Sequence, residues 1–277
     1  MFKKIALTMA IGIISLGSYS FSFAENVTSS SDIKVETSKK TIPTSTDLIP
    51  LNAVSKQITT YFGADIVNYV SESEIPNVYL VTLNDGTNMM YFKDTKFAVV
   101  GDMYDLEQKK NITRSLLSEY NASILKDLQK EGIEYPATAT DKPVETLYVF
   151  TDPTCGYCRK LNHERASYAE NGIKLVYLPY SRSGENTFSY NELVDVWCSG
   201  DKQTAMDLAK TDKGADIKTM PNYKVTDECK AEVKKAQEAG RRLGMSGTPA
   251  LFTADGHFFP GYIEAGKLRE FISKARE

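Results

Sequence analysis

The chain has 277 residues, 42% apolar and 25% charged, with 33 basic against 36 acidic side chains and a formal charge of −3. These values fit one large or two small globular domains and exclude wholesale disorder, collagen and coiled coils. No run of Lys or Arg exceeds two residues, so the chain lacks the basic footprint of a nucleic-acid or anionic-membrane binder.

The first segment reads as an export signal. Lys3-Lys4 is a basic start, and the apolar stretch Ile5–Gly17 is too short to span a bilayer with ease. Ser22-Phe23-Ala24 offers small residues at both recognition positions of a signal peptidase, so residues 1–24 are expected to be a signal peptide cleaved after Ala24. No later apolar run is long enough for a membrane span, so no stable membrane insertion is expected after cleavage. Residues 25–50, rich in Ser, Thr, Lys and Asp with Pro43 and Pro50, predict a flexible tail.

From residue 51 the chain is expected to fold. Val54, Ile58 and Phe62 have a weak helical period. Val78–Leu83 and Asn88–Phe92 are strand-like, and Asn84-Asp85-Gly86 between them is a hairpin signal. Lys96–Val100 predicts a third strand. This is a small antiparallel sheet with exposed edges and a thin core, and a second copy of itself is the simplest partner to cover it. A helix follows over 109–131. Ile112, Leu116, Tyr120, Ile124 and Leu128 form one stripe, with Asn111 as cap and Gly132 as stop. The turn-rich stretch 135–143 looks like the entry to a second domain. The expected limits are 51–108 for the sheet domain, 109–135 for a linker helix and 136–277 for the second domain.

That second domain alternates. Strands are predicted at Leu147–Thr151, Ile173–Leu178, Ala250–Thr253 and Phe258–Tyr262, the last two joined by Ala254-Asp255-Gly256. Helices are predicted from Cys155 or Gly156 to Ala169, and over 187–198, 201–210, 227–243 and 264–276. Short strands interleaved with helices imply an α/β sandwich with helices on both faces.

An exported chain with four cysteines suits two disulfides. Cys155-Gly156-Tyr157-Cys158 follows a strand and opens a helix, where free N–H groups and the helix dipole favour a thiolate. The spacing lets a second thiol attack a mixed disulfide made by the first. Cys155 is expected to be the exposed nucleophile and Cys158 the buried resolving thiol. Two other uses of this spacing are half a zinc site and a structural short-loop disulfide. Zinc would need four ligands, and His163 and His257 lack ligand spacing. Cys198 follows Trp197 at a helix end, and Cys229 shares a stripe with Val233, Ala236, Gly240 and Leu243. These two fit a structural disulfide; the alternative is a second redox pair.

Together these motifs resemble the periplasmic disulfide isomerases of the DsbC/DsbG type. The resemblance rests on Phe150–Cys158 (Phe-Thr-Asp-Pro-Thr-Cys-Gly-Tyr-Cys), Trp197-Cys198, Ser246-Gly-Thr-Pro249 and Phe259-Pro-Gly-Tyr262, with Asp85-Gly86 and Gly101–Asp105 in the front half. The Cys-Gly-Tyr-Cys form is similar to the DsbC branch. The resemblance implies a homodimer built through a cystatin-like N-terminal dimerisation domain, a linker helix and a thioredoxin-like catalytic domain with a helical insertion. It implies that Thr248-Pro249 is a cis-proline loop which, with Gly156 and Tyr157, receives substrate. Misfolded exported proteins would be the substrates and a DsbD-type membrane thiol reductase the recycling partner. Sulfur chemistry alone needs no cofactor or metal. Two departures stand out: Arg159 follows the second cysteine where DsbC proteins often have His, and Val149 fills the place of the buried acid of thioredoxins. A reductase of sulfenylated cysteines and a chaperone-like holdase with secondary redox activity are the alternative functions.

Overall fold

A computed structural model describes residues 51–62, 66–139 and 144–276. The expected signal peptide and tail lie outside the described residues. No helix among the described residues is long and apolar enough to cross a membrane.

Helix α1 (Leu51–Phe62) precedes a four-stranded antiparallel sheet of β1 (Val67–Glu72), β2 (Val78–Leu83), β3 (Asn88–Phe92) and β4 (Phe97–Val100), in that spatial order. Strand β2 is buried along its whole length because both faces of the sheet are covered. Tyr79, Val81 and Leu83 pack under Val54 and Ile58 of α1. Val78 and Leu80 face Ile112 and Leu116 on the other side. The β2–β3 turn uses Gly86 at φ +84°, as the Asp-Gly pair predicts. Strand β1 was not foreseen: its alternation is interrupted by an irregularity between Val67 and Tyr69, which hides the period of two.

A two-residue ladder, β5 (Tyr104–Asp105) with β6 (Lys110–Asn111), leads into α2 (Ile112–Leu128). Asn111 caps α2 by accepting from the Arg114 N–H at 2.9 Å, a contact worth about 1 kcal/mol. All five predicted stripe residues are buried, and they serve two cores. Ile112 and Leu116 pack on the first sheet, whereas Tyr120, Ile124 and Leu128 pack on the second. The helix ends earlier than expected. A 3-10 turn spans Gln129–Glu131, where Lys235 donates to the Asp127 carbonyl at 2.7 Å and Trp197 Nε1 to the Glu131 carbonyl at 2.8 Å.

The second sheet has five strands, ordered β11 (Phe258–Pro260), β10 (Ala250–Thr253), β8 (Glu145–Thr151), β9 (Ile173–Pro179) and β7 (Ile133–Tyr135). Strands β8 and β9 run parallel, and the remaining pairs are antiparallel. Strand β7 replaces what the sequence reads as the end of the linker helix; three residues are too few to display a period. Helices α3 (Gly156–His163), α4 (Arg165–Glu170), α5 (Phe188–Trp197), α6 (Lys202–Ala209), α7 (Asp227–Arg242) and α8 (Ala265–Ala275) complete the chain. Cores lie on both sheet faces, one around Leu147, Val149, Tyr177 and Trp197, the other around Phe150, Leu178 and Phe252. The single helix expected over 156–169 is two, divided at Glu164 (φ −96°, ψ 14°). There the Glu164 N–H is shared between Lys160 and Leu161 carbonyls and its carboxylate takes the Tyr262 hydroxyl. The architecture is therefore two-domain, with an antiparallel sheet unit followed by a thioredoxin-like sandwich.

Candidate active site

Strand β8 delivers the chain to Asp152, and Cys155 is the residue that precedes the first turn of α3. Asp152 is fully buried. Its carboxylate accepts from the Thr154 N–H at 2.8 Å and hydroxyl at 2.7 Å. It also accepts from the Arg182 N–H at 3.0 Å and Nε at 3.2 Å. Burial pushes the Asp152 carboxyl up, but these donors outweigh it and hold its pKa below the ordinary value. The Asp152 carboxylate thus ties the turn to Arg182, beyond the end of β9.

Cys155 and Cys158 are both free thiols. Cys155 Sγ donates to the Thr248 carbonyl at 3.2 Å. Its pKa is pushed down to about 5, chiefly because the Cys158 thiol donates to the thiolate; burial opposes this, and Thr248, the Cys158 backbone N–H and the Arg182 charge assist. Thr248 Oγ1 is buried and has no hydrogen-bond partner among the described residues. Cys158 behaves in the opposite way. Burial pushes its thiol well up, and the neighbouring Cys155 sulfur reinforces this. One sulfur of the pair is therefore built to ionise and the other to stay protonated. Cys155 is only 4% exposed, against the expectation of an open nucleophile, because the Thr248 loop lies against it.

The Thr248–Pro249 peptide bond is cis, and the Pro249 carbonyl is fixed by the Gly261 N–H at 2.9 Å. Tyr157 is 64% exposed and stacks on Tyr262 with ring centroids 6.2 Å apart. Lys160 sits 4.5 Å over the other ring of this pair, that of Tyr262. Gly156 is exposed, and a Cβ there would meet nothing within 4 Å. The structure thus brings Cys155, Cys158, Thr248 and Pro249 together, with Gly156 and Tyr157 on the open side.

Cys198, at the end of α5, and Cys229, in the first turn of α7, are joined by a disulfide with Cα atoms 5.2 Å apart. Among the described residues no cluster of His, Cys, Asp and Glu could hold a metal ion. Arg159 turns away, donating to the Pro153 carbonyl at 2.8 Å and pairing with Asp212 at 3.7 Å. The cation beside Cys155 is Arg182 instead. Arg182 and Lys210, whose Nζ reaches Thr151 Oγ1 at 2.7 Å, were missed in the sequence; neither belongs to a local motif that would mark it.

Comparison with known proteins gives the same two-part division. Residues 135–276 match the thioredoxin-like domain family, and residues 44–114 match the disulfide bond isomerase protein N-terminal domain. The thiol:disulfide interchange protein DsbC of Salmonella typhimurium is 35% identical over 184 residues, 65% of this chain and 70% of that protein. DsbC of Escherichia coli is 32% identical over 203 residues, 72% of this chain and 79% of its own length. DsbC of Dickeya dadantii is 33% identical over 213 residues, covering 76% and 82%. With a paired-thiol site at the head of a thioredoxin-like helix and this front domain in one polypeptide, the chain belongs to the DsbC-type disulfide isomerases.

Proposed function

We propose that this enzyme reshuffles incorrect disulfides in proteins exported to the periplasm, with Cys155 as attacking thiolate and Cys158 as resolving thiol. The observation that carries the assignment is the placement of two free thiols at the head of α3, with Cys155 Sγ 3.2 Å from the Thr248 carbonyl; the opposed directions of their ionisation, Cys155 down and Cys158 up, support it. Cys155 thiolate attacks one sulfur of a substrate disulfide, forming a mixed disulfide and releasing the other substrate sulfur as a thiolate. That thiolate can attack elsewhere in the substrate and return Cys155 unchanged, which is isomerisation. Otherwise Cys158 attacks Cys155, frees the substrate reduced and leaves the pair oxidised. An oxidised pair requires an external dithiol, the role we assign to a DsbD-type membrane reductase. The Thr248-Pro249 edge and the Tyr157–Tyr262 stack are our candidates for holding an extended substrate segment.

A second copy of the chain is the partner we assign to the front sheet, with residues 51–108 as the dimerising part and the catalytic part beginning at β7. Strand β4 is an edge strand, exposed at all four positions, with Phe97 and Val100 each 70% exposed. An apolar edge of this kind is stable in solution when covered. Export through a signal peptide cleaved after Ala24 belongs to the same reading.

The test is reactivation of scrambled ribonuclease by the reduced protein, with Cys155→Ser as control. Reactivation that disappears in the control is expected. Insulin reduction without reactivation would instead favour a reductase of sulfenylated cysteines, and aggregation suppression that survives loss of both thiols a holdase.

A further inference from the structure

Lys210 follows α6 and is buried at 5% exposure. Its Nζ donates to Thr151 Oγ1 at 2.7 Å, and no carboxylate forms an ion pair with it among the described residues. An ammonium group held in the interior without a partner carboxylate is unfavourable, so its presence calls for an explanation other than stability. Thr151 is the last residue of β8, and the carbonyl of the next residue, Asp152, accepts from the Cys155 N–H at 3.2 Å. The buried ammonium and the turn that carries the two thiols are therefore tied to consecutive residues of one strand end. Facing Lys210 are Cys158 from α3, Asp152 and Cys155 from the turn between, and Glu192 from α5. Glu192 is itself buried, and its Oε2 has no hydrogen-bond partner. Between Glu145 and Thr151 strand β8 supplies no carboxylate, and Val149 is buried in apolar surroundings.

We propose that Lys210 is the proton acceptor for Cys158 in the resolving step. This rests on the assignment of Cys158 as the resolving thiol. The Cys158 Sγ proton passes to the neutral Lys210 amine as Cys158 attacks Cys155. A Cys155–Cys158 bond forms and the bond from Cys155 to the substrate sulfur breaks. The electron pair leaves with the substrate sulfur, which takes its proton from solvent; the substrate is reduced and the thiol pair oxidised. Burial pushes the Lys210 pKa down to about 8, against the pull of the Cys158, Asp152, Cys155 and Glu192 charges. A base whose pKa lies this near the working pH has both forms populated, the condition for efficient proton transfer.

The experiment is rapid-mixing reduction of Ellman's reagent by the full reduced protein. The first thionitrobenzoate released reports attack by Cys155 and the second reports resolution by Cys158. In Lys210→Met the second phase should slow at least roughly tenfold at neutral pH and lose its rise with pH near 8, while the first phase stays within about twofold. Lys210→Gln keeps a donor to Thr151 and should show the same defect, so it carries the test if the methionine variant does not fold. Lys210→Arg keeps the charge but cannot accept a proton, and it should be slow as well; full recovery in that variant would overturn proton acceptance. An unchanged second phase in Lys210→Met or Lys210→Gln, or equal slowing of both phases, would also overturn it. A wild-type protein with no second phase would remove the underlying assignment of Cys158, a result distinct from any of these.

Discussion

Arg182 holds the buried Asp152 by two bonds, from its backbone N–H at 3.0 Å and its Nε at 3.2 Å. This fixes the guanidinium of a half-exposed side chain beside the thiol turn, where its charge favours the Cys155 thiolate. Arg182→Met should therefore raise the midpoint of Cys155 alkylation. It should also destabilise the fold by about 1–2 kcal/mol, because a buried carboxylate loses a charged donor but keeps the Thr154 pair. Iodoacetamide kinetics against pH and urea unfolding check the two halves separately.

The wild-type thiol gives a sharper expectation. Alkylation of Cys155 should rise with pH through a midpoint near 5 and then level, whereas an ordinary thiol titrates at about 8.5. The linkage has a definite sign. Between these values the unfolded chain binds the extra proton, so the reduced protein gains stability as pH rises. That contribution is complete above about 8.5 and is lost as pH falls through 5. Urea unfolding of the reduced protein should show it, and Cys155→Ala should remove it. A second variant, Cys158→Ala, removes the leading donor to the thiolate and should move the alkylation midpoint upward by about a unit or more.

Much of this site is legible in the sequence because its parts are local. A helix start is written in Cys155 and the three residues after it, and the amphipathic stripe from Ile112 to Leu128 is a pure repeat. Long-range electrostatics are not written locally. Arg182 matters only because the parallel pairing of β8 with β9 sets Thr151 beside Pro179. Lys210 reads as one more helix-terminal lysine until α6 brings its end against Thr151 at the close of β8. The short strands β5, β6 and β7 fail for a simpler reason: two or three residues carry no period.

The Cys198–Cys229 bridge should be separable from catalysis. It closes a loop of 31 residues, for which chain entropy predicts about 3–4 kcal/mol. Replacing both cysteines by alanine should lower unfolding stability by that order. The Cys155 alkylation profile should stay in place, because neither residue contributes to the Cys155 ionisation. A shifted profile would mean that the bridge shapes the thiol site as well.

Lys210 makes the last prediction, and its sign is opposite to that of most core substitutions. Burial lowers its pKa from 10.5 to about 8, so below pH 8 the fold carries a charged group that water would hold better. Between about 8 and 10.4 the unfolded chain binds more protons than the native one, and stability rises with pH across that window. Lys210→Met removes the penalty but leaves the Thr151 hydroxyl without this donor, for a net gain of about 2 kcal/mol at pH 7. The gain should shrink steadily as pH approaches 10. Paired urea titrations of the reduced proteins at pH 7 and 9.5 measure it. A variant that is more stable yet slower to resolve its mixed disulfide would mean that the lysine is retained for the reaction at the expense of the fold. A variant that is less stable at pH 7 would mean instead that Lys210 belongs to the core's support.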